Sequence, residues 1–152
     1  MSHLRRWFFD TAEPVPESID ETLVAFVVEA LGQTMAQMTR TPEEMSGARP
    51  EDRVPHAASS ADMQTVRRWR YMGGECSVHV ERTLNFFPGD VNEAPRSSEN
   101  IRVDGKRRDE RLLVVHVRAG ESGLWMDVLD DEFLTRATRA FGPVTRTIEL
   151  SD

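Results

Sequence analysis

Residues 64–87 read QTVRRWRYMGGECSVHVERTLNFF, with apolar and polar residues alternating on both sides of Gly73-Gly74. Alternation with a period of two is typical of a strand that buries one face. A two-residue connection containing glycine is typical of a β-hairpin. A turn at Gly73-Gly74 would pair Met72 with Glu75 and Trp69 with Val78. The segment therefore predicts an antiparallel hairpin, and the rest of the fold is interpreted around it.

The two faces of this hairpin differ in chemistry. The apolar face carries Trp69, Tyr71, Cys76, Val78 and Val80. The polar face carries Arg68, Arg70, Ser77, His79 and Glu81. A slip of one residue would mix the two sets, so the clean separation favours this pairing.

Further strands and two helices are predicted on either side of the hairpin. The predicted strands are residues 4–9, 101–103, 112–119, 124–128 and 144–150, with a turn at Asp104-Gly105. A capping box from Ser18 to Glu21 starts the first helix, whose apolar spacing continues to Met38. The second helix covers about residues 130–141 and ends at Gly142-Pro143.

Two polar stretches, residues 39–62 and 88–100, predict long irregular loops, with one short helical turn as an alternative at Thr41-Pro42. The resulting order is β-α-β-β-β-β-β-α-β. Runs of strands with few helices are typical of an α+β fold. We therefore predict one α+β domain over residues 1–152, with a mainly antiparallel sheet of about five to six strands and two helices packed on one face.

The charge and composition of the chain limit the kinds of partner and the location that we expect. The net charge of -7 argues against nucleic acid, because binding phosphates requires a positive field. Residues 63–120 carry 11 basic and 8 acidic side chains, whereas the rest of the chain carries 8 basic and 18 acidic. A run of about 18 apolar residues is missing, so no membrane association is expected. The single cysteine cannot form an internal disulfide, which favours a cytoplasmic location.

Motifs for cofactors, metals and nucleophilic catalysis are missing from the sequence. Neither a phosphate-binding glycine loop nor a nucleophile elbow is found, which favours a protein without catalytic activity or cofactor. Cys76 and His79 are three residues apart, which in a strand places them on opposite faces. We therefore predict no metal site. Cys76 is expected to be a buried small hydrophobic residue.

The predicted polar face is the first candidate site. Arg68, Arg70, His79 and Glu81 could hold an anion through arginine contacts, and His79 beside Glu81 could serve acid–base chemistry. His116 and Arg118 would join them if their strand turns the same side outward. The alternative is an ordinary solvated sheet face with cross-strand pairs. A small enzyme or anionic-ligand-binding domain is thus one hypothesis for function.

Acidic residues form the second candidate site. They are Glu43, Glu44, Glu51 and Asp52 in the first long loop, and Asp127, Asp130, Asp131 and Glu132 at the start of the second helix, of which Asp130 and Asp131 are the candidates for partner binding. An acidic surface speeds the capture of a basic partner. Stabilisation of the helix dipole is the alternative for the second group. The preferred hypothesis is a small non-catalytic protein-binding domain, similar in character to an inhibitor, immunity-type or chaperone-like adaptor protein. Homodimerisation through the first helix or a sheet edge fits either hypothesis.

Overall fold

Antiparallel pairing organises most of the chain. The computed structural model describes residues 4–42, 54–56 and 59–150. The strands in these residues are β1 (Arg5–Phe9), β2 (Thr39–Pro42), β3 (Val54–His56), β4 (Ser59–Gly73), β5 (Cys76–Phe87), β6 (Arg96–Arg107), β7 (Glu110–Arg118), β8 (Leu124–Val128) and β9 (Val144–Glu149). The helices are α1 (Ile19–Ala30) and α2 (Leu134–Phe141), with 3₁₀ turns at Met35–Gln37 and Asp131–Phe133.

Among the described residues, eight strands follow one another in the order β2-β4-β5-β6-β7-β8-β1-β9, and β3 is an additional partner of β4. The α+β class is confirmed, but the prediction of five to six strands was wrong. The two strands that were missed, β2 and β3, arise from the stretch predicted as a loop. Within the part of the chain that the structure describes, both pair only with β4. Polar and proline-containing segments can form such edge strands because backbone hydrogen bonds to one neighbouring strand suffice to hold them there.

The hairpin of β4 and β5 forms two residues away from the predicted register. Gly73 pairs with Cys76 and Trp69 with Val80, so the turn residues are Gly74 and Glu75. Gly74 has a φ of 58°, as the first central residue of a type II′ turn requires. A shift of two residues returns every side chain to the same face, so both predicted sets of face residues remain intact.

β6 is much longer than the predicted strand at residues 101–103. It begins at Arg96, inside the predicted loop at 88–100, and it continues through the predicted turn at Asp104-Gly105. Gly105 is buried within the strand because Val27 of α1 and the following Leu31 pack over it. A Cβ atom there would lie 2.6 Å from Val27 Cγ1. Gly105 therefore provides room for close packing and does not form a turn.

α1 is shorter than predicted. It ends at Ala30, before Gly32, a residue that disfavours helix. Ser18 makes no capping hydrogen bond with its side chain, because its backbone lacks the extended conformation of a capping residue. The buried residues of α1 are Leu23, Val24, Val27 and Val28.

Ionic and aromatic contacts hold the helices against the sheet. Arg82 in β5 donates to Asp20 Oδ2 of α1 at 3.3 Å and to Glu99 Oε1 of β6 at 2.5 Å. The ring of Phe141, at the end of α2, meets those of Phe9 and Phe26 edge-on, with centroid distances of 5.8 and 4.9 Å. The second helix was predicted at about the observed position and lies near the C-terminal end. Neither helix in the described residues has the length and apolar character needed to cross a membrane.

Candidate functional site

The sheet face opposite α1 carries a concentration of charged and aromatic side chains, and we call it the polar face. It is built by the alternation of β1 and β4–β8, whose other side chains form the core beneath α1. Its central residues are Arg6, Arg68, His79, Glu81, Arg102, Asp104, Lys106, Arg111, His116, Trp125 and Asp127. Arginines outnumber carboxylates in this set, although the whole chain is acidic.

Strand register arranges these side chains in two neighbouring rows across the sheet. The first row runs Arg68, Glu81, Arg102, His116 and Trp125 from β4 to β8. The second row runs Arg70, His79, Asp104, Val114, Asp127 and Arg6 from β4 to β1. Directly opposed residues on neighbouring strands have Cβ atoms about 5 Å apart, close enough for their side chains to interact. Pairing thus brings together residues that are far apart in the sequence.

Asp104 holds two arginines in place. Arg102 donates from Nε to Asp104 Oδ1 at 2.9 Å and from Nη2 to Oδ2 at 3.3 Å. Arg111 Nη2 lies 3.3 Å from the same Oδ2. The side chain of Asp104 is only 12% exposed, so its carboxylate is held beneath the two guanidinium groups. Two cations share one carboxylate, and a positive charge remains in excess.

A second cluster surrounds Asp127. Arg6 donates from Nε at 2.7 Å and from Nη2 at 3.0 Å to the two carboxylate oxygens. His116 Nε2 lies 3.3 Å from Oδ2, although without the alignment of a hydrogen bond. Burial would raise the pKa of Asp127, but contact with His116 and Arg6 outweighs it and lowers the pKa from 3.8 to about 2. The ring of His116 stacks on Trp125, with centroids 5.0 Å apart.

Two of the hollows on the polar face adjoin one another. The basic hollow, of about 280 Å³, is lined by Arg68, His79, Val80, Glu81, Arg102, Asp104, Lys106 and Arg111. The amphipathic hollow, of about 330 Å³, is lined by Leu4, Arg6, Arg102, Arg111, Leu112, Val114, His116, Asp127 and Leu129. Arg102 and Arg111 line both, so these two arginines mark the boundary between the hollows.

The predicted site residues lie in different parts of this arrangement. Arg68 and Glu81 form an ion pair at 3.1 Å in the basic hollow, which His79 also lines. Arg70 lies beside His79 in the register but lines neither hollow. His116 joins the polar face, as expected if its strand turns the same side outward. Arg118 lies on the same face, where it pairs with Glu121 and Asn100 away from both hollows.

Seven residues of the site were not predicted to lie on this face: Arg6, Arg102, Asp104, Lys106, Arg111, Trp125 and Asp127. A usable signal existed for part of this set. Arg102, Asp104 and Lys106 alternate with Val103 and Gly105, as in a strand with one polar face. Interpreting Asp104-Gly105 as a turn hid that pattern. The positions of Arg6 and Asp127 depend on long-range pairing of β1 with β8, which leaves no local signal.

The acidic residues proposed for partner binding are only partly described. Asp130 accepts a hydrogen bond from the Glu132 N–H at 3.3 Å, and Asp131 forms an ion pair with Arg5. Both therefore have roles within the fold. Glu43, Glu44, Glu51 and Asp52 lie outside the described residues.

Cys76 and His79 are not placed to share a metal ion. The Cys76 thiol is buried beneath α1, 3.8 Å from the Leu31 carbonyl oxygen, while His79 lies on the opposite face. Across residues 4–42, 54–56 and 59–150, no group of three or more potential ligands is placed to hold a metal ion.

Comparisons of this chain with protein-family models, with curated proteins and with solved structures found no significant match.

Proposed function

We propose that this chain is a non-catalytic binding domain that takes an anionic group, a carboxylate or a phosphate, in its basic hollow. The observation that carries the proposal is the arrangement of Arg102 and Arg111 on the single carboxylate of Asp104. Lys106 lines the same hollow and adds a further cation. An incoming anion would balance this excess charge.

Preorganisation favours binding at this position. Two hydrogen bonds to Asp104 restrain Arg102, so less side-chain entropy is lost when its guanidinium group binds a ligand. Guanidinium groups bind carboxylates and phosphates through short, charge-assisted hydrogen bonds. These groups lie in a concave surface, where attraction is screened less than on a flat one.

Docking of a basic protein on the acidic residues has weaker support. Asp130 and Asp131 already satisfy groups within the fold, which accounts for their presence without a partner. The polar face offers the opposite charge, so we expect a ligand or partner surface that is itself acidic.

The proposal is tested by titrating ¹⁵N-labelled protein with inorganic phosphate and with acetate at low ionic strength. We expect saturable shifts of the amide signals of Arg102, Lys106 and Arg111. Losing one charge-assisted hydrogen bond commonly costs about 1.5 kcal/mol, so Arg111→Gln should weaken binding roughly tenfold. Arg118→Gln is the matched control, because Arg118 lies on the same strand and face with nearly the same side-chain exposure, 50% against 51%.

Two outcomes would contradict the proposal. One is the lack of saturable shifts for either anion up to tens of millimolar. The other is an equal loss of affinity in the Arg111 and Arg118 variants, which would indicate general attraction to a basic surface.

A further inference from the structure

The amphipathic hollow differs from the rest of the polar face because one side of it is apolar. Leu4, Leu112, Val114 and Leu129 line it. The Leu129 N–H donates to the Leu112 carbonyl oxygen at 3.2 Å, which fixes the beginning of β7 against the segment after β8. Val114 is only 3% exposed and forms the base. An apolar wall thus adjoins the arginines of the basic hollow.

The charges around the amphipathic hollow leave room for one negative charge. Arg6 is neutralised by the bidentate contact with Asp127. Arg102 and Arg111 share Asp104, so one positive charge is uncompensated at the boundary between the hollows, while Lys106 lines only the basic hollow. A carboxylate carries a single charge and matches the planar guanidinium, whereas a phosphate monoester brings nearly two.

We infer that the anion bound here is the carboxylate of an amphiphile, whose apolar part occupies the amphipathic hollow. This inference rests on the proposed function and specifies its ligand. The carboxylate would lie at Arg102 and Arg111, and a short hydrocarbon group would lie against Leu112, Val114 and Leu129. The volume of about 330 Å³ is at the lower end of small-molecule sites, which suits a short hydrocarbon group.

The length of the hydrocarbon should set the affinity. Burying one methylene group strengthens binding up to about fourfold, so affinity should rise from butanoate to hexanoate to octanoate until the hollow is filled. Calorimetric titration of the whole chain with these three acids, with octanol and with inorganic phosphate provides the comparison. We expect octanoate to bind at least tenfold more tightly than butanoate and octanol.

Variants separate the hollow from the rest of the face. Leu129→Gln should weaken the binding of octanoate at least fivefold and leave the binding of phosphate unchanged. Met72→Gln is the matched control, because Met72 is a half-exposed apolar residue on β4 that lines neither hollow. It should change neither affinity. Circular dichroism of both variants checks that the fold is retained.

Four other outcomes would each overturn one part of the reasoning. Equal affinities for butanoate and octanoate, with no effect of Leu129→Gln, would overturn the inference and leave the anion site in place. Octanol binding as tightly as octanoate would overturn the role of the carboxylate. A hexaglutamate peptide that binds where octanoate does not would overturn the inference in favour of an acidic partner protein. Failure of every anion to bind would overturn both the inference and the proposed function.

Discussion

Replacement of Asp127 by Asn removes the negative charge that organises one end of the polar face while keeping the size of the side chain. Asn cannot form the bidentate ion pair with Arg6, whose Nε and Nη2 lie 2.7 and 3.0 Å from the two carboxylate oxygens. The side chain of Asp127 is only 13% exposed, so water can replace little of the interaction that Arg6 loses. We expect the variant to fold with reduced stability.

The lowered pKa of Asp127 sets the magnitude. A fall from 3.8 to about 2 corresponds to roughly 2.5 kcal/mol of stabilisation of the charged form in the folded state. Because the pKa is lower in the folded state, this stabilisation is present above pH 4 and is lost as the pH falls towards 2. The free energy of unfolding should therefore differ between wild type and Asp127→Asn by about 2 kcal/mol at pH 7, and by about half as much at pH 3.

Urea unfolding followed by tryptophan fluorescence at several pH values measures this difference. Asp131→Asn is the control, because Asp131 pairs with Arg5 at an exposed position where its side chain is 60% exposed. Exposed pairs contribute little, so this variant should stay close to wild type at every pH. A loss in Asp127→Asn that is the same at pH 7 and pH 3 would refute the electrostatic reasoning, as would no loss at pH 7.

Three further predictions concern the packing that supports the polar face. Gly105→Ala places a methyl group 2.6 Å from Val27 Cγ1, so urea unfolding should show a loss of about 1–3 kcal/mol, partly recovered by adding Val27→Ala; no recovery would place the cause elsewhere. Arg82→Met removes the cation shared by α1 and β6, and calorimetry should show a loss of about 2–3 kcal/mol, whereas an unchanged melting temperature would show that the ion pairs contribute nothing. Phe141→Ala removes the ring 4.9 Å from that of Phe26, so urea unfolding should show a loss of about 2–3 kcal/mol; an intact free energy of unfolding would contradict this role in holding α2.

The alternation of polar and apolar residues predicted which face several site residues lie on, although the predicted register of the hairpin was wrong. Arg68, His79 and Glu81 were placed on one face from the pattern around Gly73-Gly74, and they remain there although the register differs by two residues. A period of two explains this result, because a shift by two residues preserves the face of every side chain. The sequence does not show that Gly74 and Glu75 form the turn, because either of the two adjacent glycines can adopt the backbone conformation of the first turn residue.

The remaining site residues could not be predicted in the same way. Asp104-Gly105 has the composition of a turn, and only the position of α1 above Gly105 shows why glycine occurs inside a strand. β2 lacks alternating apolar residues, because backbone pairing at the edge of β4 does not require them.

By itself the sequence determined the α+β class, the central hairpin and which side chains share a face within β4 and β5. Those properties follow from the alternation of polar and apolar residues within a single strand. The tertiary structure alone decided that β1 lies between β8 and β9, which places Arg6 beside Asp127, and that β6 carries Asp104 to Arg111 of β7. Strand order results from pairing between distant segments and from the packing of α1, and neither has a period that a local stretch of sequence can show.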